Sequence, residues 1–247
     1  MAIDYTKRPT SVPIDMEKIR ATAPGLVDMV KTARVSLEKR ALAGQRAAVY
    51  LVLDRSGSMR THYRSGAVQR LAEQVLSLAV NLDDDGTVPV VFFSTEIDGM
   101  HEFALANYQG RINALHERMG RLGRTNYHLA MERVIDHYLA SGATDPALVV
   151  FQTDGGPTSK PAAERLLCAA STLPIFWQFI GFGDDGFDFL HKLDDLPVPD
   201  RRAVDNAGFF AAGPHPRSIT DQVLYENLLA EFPSWLVAAR TAGIVAN

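Results

Sequence analysis

The sequence predicts an α/β fold with a doubly wound, mostly parallel six-stranded sheet and helices on both faces. Short apolar runs rich in β-branched and aromatic residues alternate with segments of helical periodicity along residues 45–247. The runs are apolar at consecutive positions, which is typical of parallel strands buried on both faces. Two of them, at 47–54 and 147–154, end in an aspartate. Ligands bind outside the carboxyl ends of such strands, so the same pattern predicts where a functional site lies.

Length and composition set broad limits on what the chain can be. Its 247 residues are 47% hydrophobic, enough for a sizeable core in one principal domain. The formal net charge of −4 includes no lysine- or arginine-rich block, which argues against nucleic acid or an anionic membrane as a partner. No stretch reaches the roughly 18 apolar residues of a membrane span, and residues 1–18 contain no leader-like apolar segment. The single cysteine, Cys168, excludes an internal disulfide and favours a reducing compartment, so we expect a cytoplasmic protein.

The first 44 residues are predicted to precede the sheet. Residues 1–23 contain prolines and little periodicity, which indicates an extended N-terminal arm. Residues 24–44 are predicted as a helix that Gly44 ends, and this helix is expected to cover a sheet edge or dock a partner. Its apolar residues recur at helical spacing, at Leu26, Val30, Ala33, Leu37 and Ala41. The principal domain then occupies residues 45–247.

The elements that follow alternate between strand and helix. Six apolar runs are predicted strands, at 47–54, 87–94, 101–105, 147–154, 174–183 and 202–212. Segments with a helical stripe lie between them, at 68–82, 107–119, 127–139, 160–171 and 187–193. With right-handed crossovers, this order produces a doubly wound sheet.

A last helix is predicted to close the chain. Ser218 and Asp221 have the spacing of a capping box at its start. Pro233 is expected to kink it, because proline removes a helical hydrogen bond. Its core-facing residues are predicted to be Leu224, Leu228, Phe232, Trp235 and Leu236.

Oxygen-bearing side chains cluster where predicted strands end. The first strand ends at Asp54, which Ser56 and Ser58 follow at alternate positions in DRSGS. Asp154 ends a later strand in TDGG, whose glycines permit a sharp turn at the rim. Thr125 stands in GRT, before the helix that leads to that strand. Carboxylates and hydroxyls without His or Cys suit a hard cation such as Mg²⁺, Mn²⁺ or Ca²⁺ and argue against zinc.

The simplest alternative for DRSGS alone is a capping loop, because Asp, Ser and Gly also serve a strand-to-helix turn. Its conjunction with a second strand-end aspartate and an intervening threonine favours the metal site. All three loops are expected on the same rim of the sheet.

Together these segments resemble the metal-ion-dependent adhesion site of von Willebrand factor A (vWA) domains. The similarity covers residues 45–240. The chain fills all five positions of the motif, with Asp54, Ser56, Ser58, Thr125 and Asp154. The segments YLVLDRSGSM, FFSTEID and VDNAGFF are most similar to the bacterial tellurium- or toxic-cation-resistance group, which also resembles the copine A domain. The resemblance implies a vWA fold, a divalent cation, most simply Mg²⁺, and a bacterial stress or tellurium-resistance setting.

The resemblance also implies how the site works. In this family the two serines contact the metal directly, while the threonine and the aspartates bind it directly or through water. Neutral hydroxyls leave the charge of the cation partly uncompensated, so an acidic side chain of a partner protein completes its coordination. No residue has a strong claim to be a positioned base or a nucleophile, and we therefore expect a binding protein with no catalytic residues and no organic cofactor.

Two other functions use the same residues. A metal-dependent hydrolase or phosphatase would use the cation to orient a phosphate, but a D-x-D enzyme needs a carboxylate where Ser56 stands. Direct sequestration of toxic cations would need softer ligands than an oxygen-only site offers. The segment GFGDDG, at 181–186, spells a dinucleotide-binding pattern. Its two aspartates would repel a pyrophosphate, which favours an ordinary turn.

Further expectations concern the residues around the motif. Loop residues beside a binding site usually set its specificity, and Arg60 and Tyr63 are the leading candidates for partner contacts. His62 and His128 are predicted to be ordinary surface groups. The run of aspartates at 83–85 follows a helix at the opposite end of the sheet, where its charge opposes the helix dipole and has no explanation in the sequence.

Overall fold

A computed structural model describes residues 14–198 and 200–246 of the chain. The strands are β1 (Ala48–Asp54), β2 (Thr87–Phe93), β3 (Ile97–Ala104), β4 (Ala147–Thr153), β5 (Ile175–Phe182) and β6 (Ala207–Gly213). The helices are α1 (Met16–Thr22), α2 (Val27–Lys39), α3 (Arg60–Arg64), α4 (Ala67–Leu82), α5 (Arg111–Arg118), α6 (Tyr127–Ser141), α7 (Lys160–Ala170), α8 (Asp188–Asp194), α9 (Asp221–Leu228) and α10 (Phe232–Thr241). Short 3₁₀ turns lie at Pro24–Leu26, Gly57–Met59 and Pro216–Ser218. None of the helices within these two ranges has both the length and the apolar content needed to cross a membrane.

The six strands form one sheet in the order β3-β2-β1-β4-β5-β6. Every neighbouring pair is parallel except β2 and β3, which pair antiparallel. The predicted fold class is therefore confirmed. The chain leaves β1 toward β2 on one side and later returns through β4 on the other, so the strand order reverses between β1 and β4. That reversal creates a crevice at the carboxyl ends of these two strands.

Each face of the sheet has its own apolar core. Alternate residues of β1 divide between the faces, because side chains alternate along a strand: Val49, Leu51 and Leu53 lie in one core, and Tyr50 and Val52 in the other. Helices α1, α2, α4, α5, α9 and α10 cover the first face, while α6, α7 and α8 cover the second. This double burial explains why the strands are apolar at consecutive positions.

The N-terminal segment differs from its prediction. Met16–Thr22 is helical, so the extended arm predicted for residues 1–23 is wrong there; residues 1–13 lie outside the described residues. Asp15 caps this helix by accepting a hydrogen bond from the Glu17 N–H at 3.2 Å. Ile19 is fully buried in the first core, which stabilises a helix that local periodicity does not reveal.

The helix predicted for residues 24–44 is shorter than expected. It begins with a 3₁₀ turn at Pro24 and ends at Lys39 rather than Gly44. Ala41 lies beyond its end in the left-handed region, at φ 57°, and is exposed, whereas the other four residues of the apolar stripe are buried. The helix contacts α4 and α9 on one face of the sheet rather than a sheet edge.

The C-terminal prediction is wrong in two respects. The helix begins at Asp221, with Thr220 as its N-cap accepting from the Val223 N–H at 3.3 Å, while Ser218 lies in the preceding 3₁₀ turn. Pro233 lies in the first turn of a second helix, which begins at Phe232, instead of kinking a single helix. Proline is tolerated in that turn because its missing N–H would have no helical partner. The predicted core-facing residues are nevertheless buried.

The aspartate run at the end of α4 has an ionic partner that the sequence did not suggest. The guanidinium of Arg46 lies 3.8 Å from Asp83, 3.4 Å from Asp84 and 3.2 Å from Asp145. Asp83 is buried. This arginine offsets the unfavourable charge at the helix C-terminus.

Candidate metal centre

The crevice between β1 and β4 holds the residues predicted to bind a cation. Asp54 is the last residue of β1, and Asp154 directly follows β4. The two strands pair in register from Ala48 and Ala147 to Leu53 and Gln152. Their ends, and hence the two aspartates, therefore lie side by side at one edge of the sheet.

The loop after β1 is shaped by Asp54. Its Oδ1 accepts a hydrogen bond from the Ser56 N–H at 2.6 Å, and its Oδ2 accepts from the Thr153 hydroxyl at 2.7 Å. The hydroxyl of Tyr63 donates to the Asp54 carbonyl at 3.0 Å. Asp54 is completely buried and Ser56 nearly so, whereas Ser58 is exposed. The loop thus runs from the interior of the sheet to the surface within five residues.

Three side-chain oxygens converge at the mouth of this loop. The Ser58 hydroxyl donates to Asp154 Oδ1 at 2.9 Å, and the Ser56 hydroxyl lies 3.3 Å from the same oxygen. The two hydroxyl oxygens are 3.1 Å apart. Serine and aspartate side chains from two separate loops therefore form one compact triangle of oxygens.

The loop that carries Thr125 packs against both other loops. Gly123 pairs with Ser56 as a parallel bridge, in which the Gly57 N–H donates to the Gly123 carbonyl at 3.2 Å. On the other side, the Thr125 N–H donates to the Thr158 hydroxyl at 3.3 Å, and the Thr158 N–H donates to the Thr125 carbonyl at 2.7 Å. Thr158 lies four residues beyond Asp154. Thr125 is thus held between the segments that carry the serines and the second aspartate.

Gly123 is required for this packing. A Cβ at that position would lie 2.5 Å from Thr95 Oγ1 and 2.8 Å from the Thr95 nitrogen, in the turn between β2 and β3. The same turn binds the neighbouring residues, since Thr95 Oγ1 accepts from the Arg124 N–H at 2.9 Å and the Asn126 side chain donates to the Thr95 carbonyl at 2.7 Å. The glycine of the GRT segment is therefore a signal for a close approach between loops.

The oxygen triangle fits a small hard cation. Mg²⁺ binds oxygen ligands at about 2.1 Å in an octahedron, whose neighbouring ligands are about 3 Å apart. The three distances among Ser56 Oγ, Ser58 Oγ and Asp154 Oδ1 match that spacing. The donor set contains no nitrogen or sulfur. No group of three or more His, Cys, Asp or Glu side chains arranged to bind a metal occurs in residues 14–198 and 200–246, so a cation at this position would depend on the hydroxyls.

The electrostatics of the site centre on Asp54. The pKa of its carboxyl is raised to about 7, chiefly by burial and also by the nearby Asp154 charge, while hydrogen bonds from Thr153 and Ser56 act in the opposite direction. A cation beside this carboxyl would stabilise its charged form. Burial also lowers the pKa of His62, whose ring packs on Phe182 with centroids 5.4 Å apart, and the Asp154 charge opposes that shift.

Two residues that the sequence analysis did not single out hold Asp54 in place. Thr153 is fully buried and donates to Asp54 Oδ2. The hydroxyl of Tyr127 lies 3.1 Å from Thr153 Oγ1 and also hydrogen-bonds to the Gly155 carbonyl. A threonine immediately before the strand-end aspartate was the available signal, since a polar side chain in a buried strand needs a partner.

The predictions for residues around the motif have different outcomes. Arg60 is exposed beside the site, as a partner contact requires. Tyr63 is only 3% exposed and supports the end of β1, and its predicted role as a partner contact stays a prediction. In the GFGDDG segment, Asp185 accepts from the Phe187 N–H at 2.7 Å and Gly183 has φ 102°, as in a turn.

Arg55, inside the DRSGS segment, is buried rather than exposed. Its guanidinium pairs with Asp98 at 2.8 Å, donates from Nε to His116 Nδ1 at 3.2 Å and donates to the Gly120 carbonyl at 2.9 Å. The His116 ring stacks on Tyr63 with centroids 3.7 Å apart and planes at 7°. Arg55 therefore connects the end of α5 to the loop that carries Ser56 and Ser58, the serine loop.

Comparisons with known proteins identify the family to which the chain belongs. A family model described as vWA-TerF-like, a vWA found in the TerF C terminus, matches residues 46–245. The uncharacterized protein YcbR of Bacillus subtilis (strain 168) is 36% identical over 219 residues, which is 87% of this chain and 88% of YcbR.

Solved structures share the fold at low identity. The SpRpn10 VWA domain superposes with a TM-score of 0.51 at 11% identity, covering 73% of this chain and 93% of that one. The manganese-loaded TRAP protein of Plasmodium vivax has a TM-score of 0.50 at 16% identity and covers 76% of this chain and 74% of its own. At such identities the likeness concerns the fold alone.

Proposed function

The chain belongs to the vWA family in the form found at the TerF C terminus, and from this premise we propose that it is a protein-binding domain that depends on a divalent cation. Ser56 and Ser58 would hold the cation together with Thr125, while Asp54 and Asp154 balance its charge. When bound, the cation supplies a positive charge and an open coordination position for an acidic side chain of a partner protein. The vWA fold commonly binds metal and mediates protein interactions, so the proposal extends a property of the family to these residues.

The observation that carries the proposal is the triangle of Ser56 Oγ, Ser58 Oγ and Asp154 Oδ1. Its sides of 2.9 to 3.3 Å correspond to neighbouring ligand positions around a small cation. Two of the three oxygens are neutral, and a site with few charged ligands leaves the cation attractive to an external carboxylate. The manganese-loaded state of the TRAP protein supports a divalent cation at this kind of fold, and Mg²⁺ is our choice because it suits oxygen-only sites.

We propose that the site binds a cation and a partner protein and does not catalyse a reaction. Ser56 occupies the position where a D-x-D phosphatase needs a carboxylic acid, and the Asp54 carboxylate is enclosed by Thr153 and the Ser56 N–H rather than free to attack. A metal-dependent hydrolase is the alternative. Turnover of p-nitrophenyl phosphate by the Mg²⁺-loaded protein, lost in Asp54→Ala, would overturn the binding proposal.

Cation binding can be tested by its effect on unfolding. At about one hundred times its dissociation constant, Mg²⁺ should add roughly 2.7 kcal/mol to the free energy of unfolding if the unfolded chain binds none. Ser56→Ala should lose most of this gain, because it removes one corner of the oxygen triangle. Thermal melts with Mg²⁺ and with EDTA measure it, and Ser65→Ala, which removes a nearby hydroxyl that donates to the His62 carbonyl at 3.0 Å, is the control. An equal Mg²⁺ response in all three proteins would remove Ser56 from the site.

Partner capture needs a separate test. The protein immobilised on beads should retain a partner from a bacterial lysate in Mg²⁺ and release it in EDTA, and Thr125→Ala should retain less. Retention that is identical with and without Mg²⁺ would contradict cation-dependent binding even if the metal itself binds.

The cellular setting is part of the proposal. We place the protein in the cytoplasm, which its single cysteine supports. A role in bacterial stress or tellurium resistance is supported only by the TerF-like family. Growth of a strain lacking the gene on tellurite tests it, and unchanged growth would remove that setting without affecting the binding site.

A further inference from the structure

A cavity of about 550 Å³ beside the candidate metal centre is basic. Three exposed arginines, Arg60, Arg64 and Arg121, line it together with a single acid, Glu117. Among the residues that the structure describes, none of the ion pairs involves these three arginines. Because the three arginines outnumber the single glutamate, the cavity presents positive charge to a ligand. We refer to it below as the basic cavity.

Both walls of the basic cavity continue the loops of the candidate metal centre. Arg60 follows Ser58 by two residues, and Arg64 lies one helical turn later on the same face of α3. Arg121 belongs to the segment whose Gly123 pairs with Ser56. The arginines therefore lie on the same two segments that form the walls of the candidate metal centre.

The floor of the basic cavity is fixed before any ligand binds. The rings of Tyr63 and His116 stack in parallel there. The buried Arg55 donates hydrogen bonds to His116 Nδ1 and to the Gly120 carbonyl, which hold both groups in place. The charge of Arg55 is already matched by Asp98 at 2.8 Å, so it is structural and not available to a ligand. A preformed floor lowers the entropy lost on binding.

The polar groups of the basic cavity fit a peptide better than a free anion. Asn113 lines it, and its side-chain oxygen is buried without a hydrogen-bond donor in the part of the chain that the structure describes. A peptide N–H can satisfy this oxygen once the Asn113 side chain turns toward the cavity, whereas a carboxylate has no hydrogen to donate. His116 uses Nδ1 to accept from Arg55, so its neutral ring carries the proton on Nε2 and offers a second donor beside the arginines.

We propose that the basic cavity binds a second acidic side chain of the partner segment whose first acidic side chain reaches the cation. The ligand is thus an acidic peptide segment with two acidic residues at a fixed spacing. The arginines select the second acid, and the Asn113 oxygen accepts from the backbone between them. This inference rests on the proposed function and adds to it a determinant of specificity.

Synthetic peptides provide the test. Fluorescein-labelled ten-residue Gly/Ser peptides carry one glutamate, or a second glutamate placed two to six positions away, and fluorescence anisotropy in Mg²⁺ measures their dissociation constants. We expect the best two-glutamate peptide to bind the wild-type protein about tenfold more tightly than the one-glutamate peptide, because it gains contacts to two exposed arginines. Arg60→Gln/Arg64→Gln should remove this advantage. Arg133→Gln/Arg165→Gln changes the net charge equally on α6 and α7, which cover the opposite face of the sheet, and should keep it.

The outcomes separate this inference from the proposed function. Equal binding of one- and two-glutamate peptides, or an equal loss in both double variants, overturns the role of the basic cavity. Binding of inorganic phosphate with no advantage for the second glutamate assigns the cavity to a small anion and also overturns it. An advantage that depends on Arg60 and Arg64 but persists in EDTA and in Ser56→Ala supports the basic cavity and overturns capture through the cation. Titration of each variant with Mn²⁺ reports metal binding independently of any peptide.

Discussion

Arg55 shows that a residue inside the DRSGS segment can stabilise the surrounding loops instead of contacting a ligand. It is 1% exposed, and its pairing with Asp98 joins the serine loop to the strand pair β2–β3. His116 and the Gly120 carbonyl use its remaining donors. The position of the serines thus depends on a charge that no ligand touches.

Replacement of Arg55 should be costly for the same reason. Arg55→Met leaves Asp98 without its cation in a largely buried setting, and we expect a loss of about 3 to 5 kcal/mol in the free energy of unfolding. Arg70→Met is the control, because the Arg70–Asp221 pair is partly exposed, at 33% and 22%, and should be worth about 1 kcal/mol or less. Urea denaturation measures both. Similar losses for the two variants would contradict the buried role of Arg55.

His116 adds a pH dependence at the residue scale. Burial and then the charge of Arg55 lower the pKa of its ring to about 4, while Asp98 acts in the opposite direction. As the pH falls from 6.5 toward 4, the His116 ring is protonated in the unfolded chain but stays neutral in the folded chain. The free energy of unfolding therefore decreases over this pH range. Partial exposure of the ring limits the size of the effect.

The measurement compares unfolding at pH 7 and pH 5. His116→Gln should lose less stability over this interval than the wild-type protein, because it has no ring to protonate. His215→Gln, in an exposed loop, should behave as the wild-type protein does. If His116→Gln retained the full wild-type loss, the cause would lie in other groups.

At the scale of elements, the N-cap of α9 differs from the one that the sequence pattern predicts. The sequence offers Ser218 with Asp221 three residues later, yet Thr220 is the residue whose hydroxyl accepts from the Val223 N–H. Ser218 instead donates to the His215 carbonyl at 2.7 Å inside the preceding 3₁₀ turn. Two candidate caps two residues apart cannot be ranked by spacing alone, because the backbone entering the helix decides which side chain faces its free N–H groups.

This assignment predicts different costs for two similar substitutions. Thr220→Ala should lower the free energy of unfolding by about 1 kcal/mol, since it removes the N-cap of α9. Ser218→Ala should cost less than about half of that, because its bond lies in an exposed turn. Thermal melts of both variants provide the comparison. A greater loss in Ser218→Ala would restore the capping box that the sequence suggested.

At the scale of the whole molecule, the N-terminal helices belong to the same core as the sheet. Ile19, Val30 and Leu37 are buried together with residues of α4, α9 and α10. The predicted division into an arm at 1–23, a helix at 24–44 and a domain at 45–247 therefore describes the sequence pattern rather than separate packing units. The predicted bounds of the domain, 45–247, stay a prediction.

Paired substitutions on α2 test this shared core. Leu37→Ala should cost about 3 kcal/mol in a single unfolding transition, as does the loss of a buried leucine elsewhere in a core. Val35, on the same helix, is 48% exposed, and Val35→Ala should change stability by no more than about 0.5 kcal/mol. Urea denaturation monitored by tryptophan fluorescence follows the sheet, since Trp177 lies in β5. A small loss in Leu37→Ala, or a separate first transition, would show that α2 folds apart from the sheet.

The sequence by itself determined the features that depend on local pattern. Consecutive apolar residues predicted the buried parallel strands, and the alternation of strand and helix predicted the doubly wound fold. The positions of Asp54 and Asp154 at strand ends followed from the same pattern, because a charged side chain ends an apolar run. Ser56, Ser58 and Thr125 were named from their places in the connecting loops and from the resemblance to the vWA motif, and the role of all five residues as cation ligands stays a prediction.

Only the tertiary structure decided which of these loops touch and what supports them. Ser56 meets Asp154 98 residues away, Thr153 reaches Asp54 across 99, and Arg55 reaches His116 across 61. Met16–Thr22 is helical because Ile19 enters a core built from distant elements. Such contacts depend on how the strands pair and on the space between loops, which short-range periodicity does not encode. The basic cavity arises in the same way, since its arginines come from two segments that only the folded chain brings together.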